Sequence, residues 1–323
     1  MRGDRPGKFV TELDWNLLRT FVVIVEEGSI TAAANRLMRS QPTVSLALQR
    51  LEAKLDTQLI DRVGGAFRLT AAGRSLYREC ADIYGNIARL NEVTDEASRE
   101  ITGNIHIALA SHVVTPLLDE TLSSFFAQYP KVTCKISIDT SAGIARNVAD
   151  KSVSFGICLV KKKLHNLEYD VIYREFFGYF CGPGHPLFGK KGLRMRDLHD
   201  YPMVSFDTDD IADVLRPVAL LRRQHQLEPS IVGRSSHLEE VKRMIACGLG
   251  IGPLPVHVVE RDVRDGLLWR LPPYDKPPAI DIYLVSNPGK RFNRAEIGFI
   301  ASLKDGIAKT PLAERTYRAE NQK

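Results

Sequence analysis

Between Arg36 and Arg74 the chain gathers side chains suited to a nucleic-acid surface. Ser40, Gln41, Thr43, Ser45 and Gln49 offer hydroxyls and amides, the groups that pair with base edges in a major groove. Arg36, Arg39, Arg50, Arg62, Arg68 and Arg74 can neutralise phosphates, and over this stretch seven basic residues stand against three acidic ones. Leu46 lies among the polar groups, a poor fit for water and a good one for a thymine methyl. Nothing comparable points to catalysis. The sequence holds no HExxH, no GxSxG and no coherent dyad or triad, so no catalytic residue, metal or cofactor is expected.

Holding these groups in a groove takes a helix, a tight turn and a second helix. Trp15, Leu18, Phe21, Val22 and Val25 recur at helical spacing. Gly28-Ser29 stops that helix and caps the next, a short Ala-rich helix over 31–37. Ser40 caps a third helix over 41–55, with Pro42 in its first turn, where a missing N–H costs nothing. Val44, Leu48, Leu51 and Leu55 step by four, three and four and share a buried face. Pro42, Leu46, Gln49 and Ala53 fall opposite, flanked by Thr43, Ser45 and Arg50. Gly64-Gly65 then turns between strand-like runs over 59–63 and 66–69, a wing that carries Arg68.

Two further regions follow. From 71 to 101 there is no proline, and Leu76, Cys80, Ile83, Ile87, Leu90, Thr94, Ala97 and Ile101 repeat as an a/d seam. That predicts a helix about 45 Å long that pairs with a second copy through Leu76, Ile83, Ile87 and Leu90. Beyond 103 the pattern alternates. Strands are expected over 105–110, 132–139, 153–160, 203–206, 230–234 and 280–286. Helices are expected over 115–129, 144–150, 211–225, 238–247 and 293–304. Such alternation implies parallel sheets covered by helices, in two α/β clusters with a cleft between them.

Ligands in such clefts sit at the carboxyl ends of strands and the amino ends of helices, where free amides favour anions. Hydroxyls stand at four strand ends: Ser111, Thr140 with Ser141, Ser205, and Ser235-Ser236 followed by His237. Ser111, Thr140, Ser141, Ser205 and His237 are therefore the candidate effector contacts, and a small carboxylate is the expected class. His112, as a lone histidine, reads as structural or solvated. Three other motifs carry less. Gly184 to Lys191 resembles a phosphate loop but has Lys191 where a hydroxyl must hold magnesium. Gly248, Gly250 and Gly252 follow a helix rather than opening one. Cys181 and Cys247 could form a redox pair, but redox sensing is not the expected role.

The chain has 323 residues and a formal net charge of +5, room for more than one domain and permissive of nucleic-acid binding. Its longest apolar run, 245–259, is broken by Gly248, Gly250, Gly252, Pro253 and Pro255, so no membrane span is expected. The amino terminus has no signal-peptide core, and five scattered cysteines suit reduced thiols in a cytoplasm.

Residues 13–74 resemble the N-terminal domain of LysR-type transcriptional regulators. The likeness is carried by residues 18–30, by Ala33-Ala34-Asn35-Arg36-Leu37, and by Ser40-Gln41-Pro42-Thr43-Val44-Ser45. It continues in Arg50-Leu51-Glu52-Ala53-Lys54-Leu55, Leu59-Ile60-Asp61-Arg62 and Leu69-Thr70-Ala71-Ala72-Gly73, and more weakly through the rest of the chain. The resemblance implies a winged helix-turn-helix, a paired linker helix, and an effector domain like periplasmic solute-binding proteins. It implies dimers that assemble as tetramers on DNA, and effector contacts at Ser111, Ser141 and Ser205. Three positions depart from the family pattern. Ile60 stands where Phe is usual, Asp56 where Gly is common, and Lys151-Ser152-Val153-Ser154 where a Gly-x-Leu-Asp segment is typical.

The expected protein is a cytoplasmic, sequence-specific transcriptional regulator of mixed α+β and α/β class. Residues 1–70 form a winged helix-turn-helix, 71–102 a linker and dimerisation helix, 103–310 a two-subdomain effector-binding domain, and 311–323 a polar tail. Its DNA contacts are Arg36, Ser40, Gln41, Pro42, Thr43, Ser45, Leu46, Gln49, Arg50 and Arg68. Its partners are double-stranded DNA, a small-molecule effector, its own copies as a homodimer or homotetramer, and RNA polymerase. The competing class is a small-molecule-binding protein or enzyme carrying an unrelated helical N-terminus.

Overall fold

In the computed structural model, residues 13–61, 67–80, 83, 101–227 and 230–318 are described. The chain divides into two compact units, Met1–Ser98 and Arg99–Lys323.

The first unit packs three helices, α1 (Trp15–Glu27), α2 (Ile30–Arg36) and α3 (Gln41–Leu55). Ser29 and Ser40 cap α2 and α3 as the sequence predicts, each accepting from an amide three residues on. Phe21, Ile24, Ala33, Leu48, Leu51 and Leu59 are fully buried at the centre. The wing is β1 (Ile60–Asp61) paired antiparallel with β2 (Arg68–Leu69); its tip, with Arg62 and Gly64-Gly65, lies outside the described residues. Glu52 of α3 ties the wing down, accepting from the Leu59 and Ile60 amides at 2.8 and 3.3 Å.

A helix, α4, follows over 71–80. A Cβ on Gly73 would run into the Leu59 carbonyl oxygen, so the Leu-Thr-Ala-Ala-Gly run ends in glycine because helix and wing touch there. Asp56, a departure from the family pattern, has a local reason. It closes α3 at φ 50°, a left-handed position where glycine costs least and Asp is tolerated. Leu76, Cys80 and Ile83 pack on the core of this unit, so the first part of the predicted seam covers its own domain. Ile87, Leu90, Thr94 and Ala97 lie outside the described residues.

The second unit has two lobes. In the first, β3 (Gly103–Leu109) lies parallel between β4 (Val132–Ile138) and β5 (Phe155–Leu159). The helices α5 (Pro116–Gln128) and α6 (Ser141–Ala149) connect them. A long strand, β6 (Glu168–Cys181), runs from this lobe into the next. The second lobe holds β7 (Met203–Phe206), α7 (Arg216–Gln224), β8 (Ile231–Ser235) and α8 (Leu238–Ala246). There β9 (Gly252–Pro255), which precedes the short α9 (Glu260–Arg264), and β10 (Trp269–Leu271) pair with the far half of β6. The chain returns as β11 (Ala279–Ser286), antiparallel to both β5 and β6, continues through α10 (Arg294–Lys309), and lays residues 315–317 against Arg174 of β6.

The sheets are therefore mixed, not purely parallel. The sequence pattern predicts no strand at 168–181, 252–255 or 269–271, and these, with the return of β11, supply the antiparallel part. The helix expected over 211–225 begins only at Arg216. Asp210 and Asp213 take the Ala212 and Val214 amides at 2.8 and 2.7 Å, which turns the chain instead of extending the helix. No helix among the described residues is long and apolar enough to cross a membrane.

Candidate functional site

Two surfaces hold the predicted residues. On α3, Val44, Leu48 and Leu51 face the core, while Gln41, Pro42, Thr43, Gln49 and Arg50 are exposed, Ser45 is half-buried and Leu46 is 47% exposed. Arg68 is exposed on the wing. A helix that buries one face and leaves hydroxyls, amides and an arginine on the other is the form that enters a major groove. Ser40 is already engaged, its hydroxyl 2.7 Å from that of Thr43. Arg36 is engaged too, paired with Glu26 at 2.7 Å and Glu27 at 2.9 Å, so little of its charge is left for a phosphate.

The second surface is the cleft between the lobes of the second unit. It is lined by Ser111, His112, Asp139, Thr140, Ser141 and Ser236, over a floor that includes Leu159, Phe177, Phe206 and Leu215. The cleft measures about 30 Å³, room for a water or two. Ser111 spans the gap. Its Oγ accepts the Leu238 N–H at 3.0 Å, so this hydroxyl caps the first turn of α8 in the opposite lobe. Thr140 caps α6 through the Gly143 amide at 3.1 Å, and Ser141 is buried as the first helical residue. Asp139 also reaches this turn, accepting from the Thr140 amide at 2.7 Å and the Asn147 amide group at 3.1 Å. A Cβ on Gly143 would collide with that carboxylate, so glycine makes room for it.

Two predicted contacts sit elsewhere. Ser205 is buried within the second lobe and donates to Asp209, which also pairs with Arg222, and it does not line the cleft. His237 is exposed at the start of α8 without a side-chain cap bond; Ser236 beside it lines the cleft instead. His112 and Asp139, which the sequence does not single out as ligand contacts, do line it.

Residues 98–308 match the family model of the LysR substrate binding domain, and residues 15–74 match that of the bacterial regulatory helix-turn-helix protein, lysR family. The chain belongs to the LysR family. The HTH-type transcriptional activator BauR of Pseudomonas aeruginosa is 29% identical over 287 residues, spanning 88% of this chain and 92% of the relative. The SDS degradation transcriptional activation protein of a Pseudomonas species is 25% identical over 306 residues, spanning 93% and 98%. Among solved structures, full-length CbnR complexed with its target DNA has the same fold, with a TM-score of 0.61, 20% identity and coverage of 91% and 100%. A full-length OxyR variant from Pseudomonas aeruginosa does so at 0.61, 18%, 94% and 97%.

This LysR-family chain is thus a DNA-binding transcriptional regulator with an effector-binding domain, and the alternative of an unrelated binding protein or enzyme is set aside. Its own departure at Ser154 has a structural counterpart. The buried Ser154 hydroxyl accepts from the His106 amide at 2.9 Å and donates to Glu296 of α10 at 2.5 Å, so a carboxylate still reaches this spot from another element.

Proposed function

We propose that this regulator reads its operator with the amino-terminal half of α3, and that an effector bound between the lobes alters how paired copies meet DNA. Gln41, Pro42, Thr43, Ser45, Leu46 and Gln49 supply the base contacts, and Arg50 and Arg68 the phosphate contacts. Ser40 holds the helix start, and Arg36 acts chiefly as an internal tie. Copies pair through the helix that begins at 71, as a homodimer or a homotetramer, and RNA polymerase is the further partner on which regulation acts. Such a protein works in the cytoplasm.

The effector contacts proposed are Ser111, Thr140 and Ser141, with Ser236 in the place expected of His237 and with Ser205 as internal support. The single observation that carries this reading is the split on α3, buried Val44, Leu48 and Leu51 beneath an exposed row of amides and hydroxyls. The carboxylate expected as effector is the part the cleft supports least. Asp139 already occupies the amino-terminal turn of α6, and the cleft lining includes no lysine or arginine among the described residues. A salt-dependent gel shift tests the DNA reading: affinity must fall steeply with salt, by counterion release. A thermal-shift screen with carboxylates, amines and neutral aromatics tests the effector reading, since a ligand raises the melting point by mass action. No DNA binding at low salt would overturn the first, and no stabilising compound that acts through Ser141 the second.

A further inference from the structure

Directly beneath the cleft lies a buried group of ionisable side chains that neither surface uses. Glu175 is 0% exposed, and neither carboxyl oxygen has a hydrogen-bond partner. Its neighbours are His112 Nε2 at 3.5 Å and His257 Nδ1 at 3.9 Å. Tyr173 stands two residues away on the same strand, and Tyr317 stacks on His257 at 3.7 Å from the carboxyl-terminal segment. Asp119 and Glu260 act on Tyr317 from further out, and no lysine or arginine pairs with Glu175 among the described residues.

The location gives the group its meaning. On β6, Phe176 still pairs with Ala279 in the first lobe, while Phe177 already pairs with Pro255 in the second. Glu175 therefore stands one residue before the strand crosses between lobes. His112 follows β3 and lines the cleft, and His257 follows β9, so three segments that must move when the lobes part converge on one carboxyl group.

We propose that closing the cleft takes up one proton into the group formed by Glu175, His112 and His257, so that effector binding is tied to pH, granted that this cleft is the effector site. In the closed cleft a carboxylate at Glu175 would be buried without a donor, at a cost that favours its neutral form. Burial holds the Glu175 carboxyl well above the ordinary range, and holds His112 and His257 down at about 4. With the lobes apart, water reaches His112 and the carboxyl returns toward its ordinary value. Above about pH 7 both histidines are neutral in either state, since their ordinary value is about 6.5, so Glu175 alone sets the balance. Its value is higher closed than open. Closure is therefore favoured at lower pH and weakened as pH rises toward the closed-state value, by up to about tenfold per pH unit for one proton.

The Leu238 amide reports closure, because its N–H is held by Ser111 across the cleft. Hydrogen exchange on the full chain, corrected for the intrinsic pH dependence, is the measurement. Protection at Leu238 is expected to fall as pH rises above about 7, with a slope of up to one proton, and to be flat in Glu175→Gln. His112→Gln, which replaces a group already neutral above about pH 7, serves as the second variant and is expected to keep that slope while leaving the fold intact. A flat wild-type profile, a slope that survives in Glu175→Gln, or one that disappears in His112→Gln, overturns the proposal. The readout needs neither effector nor DNA, so that failure leaves the regulator reading standing. A loss of effector response in cleft variants would test that reading separately.

Discussion

The recognition face of α3 and the interlobe cleft are both built from hydroxyls and amides, yet they dispose of them in opposite ways. On α3, Gln41, Thr43, Gln49 and Arg50 stand exposed over a closed apolar core. In the cleft, Ser111 holds Leu238 and Thr140 holds Gly143, while the neighbouring Ser205 is spent on Asp209. The first surface is ready for a partner that arrives from solvent. The second must break internal bonds before it can make new ones, which is what a switch requires: a ligand shifts an equilibrium only by its differential affinity for the two states. Of the four expectations that follow, the first sets a committed group against an exposed one, and each of the others probes one kind alone.

The largest effect is expected at Arg222. Removing it in Arg222→Ala leaves Asp209 buried and unpaired and should cost the second unit about 3–5 kcal/mol, read by denaturant unfolding. Arg50→Ala, on the exposed face, should change stability by less than about 0.5 kcal/mol while weakening DNA binding. Equal losses from both would erase the contrast. Next come Gln41→Ala and Thr43→Ala, each expected to relax discrimination at one operator position by about 1–3 kcal/mol, measured as competition between operator variants. A uniform loss across sequences would move these residues to phosphate contacts.

Ser111→Ala removes the acceptor that spans the lobes. Opening should become easier by about 1 kcal/mol, about fivefold in exchange at the Leu238 amide, with basal operator affinity retained. No change in exchange would mean that other contacts hold the cleft shut. The smallest effect belongs to Arg68→Ala, expected to weaken all DNA sequences alike and to flatten the salt dependence by about one unit of slope. A change in sequence preference would place Arg68 against bases.

How much is legible in the sequence follows the same division. The limits of α3 are readable to the residue, because Ser40, Pro42 and the four-three-four spacing of leucines and valine are local signals. The exposed row of side chains proposed to face DNA follows from that single helix. The cleft depends on strand order, and β6 is not legible at all. Its near half carries Glu168, Asp170, Arg174 and Glu175, which hide the alternation, and its far half is buried on both faces and shows no alternation to find. Ser111 is recognisable as a strand-end hydroxyl, but its partner lies 127 residues away, and no spacing rule reaches that far. Glu175 escapes sequence reasoning for the same reason. A signal is present, a carboxylate in step with Tyr173, Phe177 and Tyr179 on one side of a strand, but only once the strand itself is known.

The central proposal is that α3 is the element that reads DNA sequence. Selection of genomic fragments by the full-length wild-type protein, beside Gln41→Ala and Thr43→Ala, tests this most directly. The wild type should enrich a two-part motif with half-sites spaced for paired recognition helices, and each variant should enrich the same motif with one position of each half-site relaxed. An unaltered motif from both variants, or no shared motif from the wild type, would contradict it.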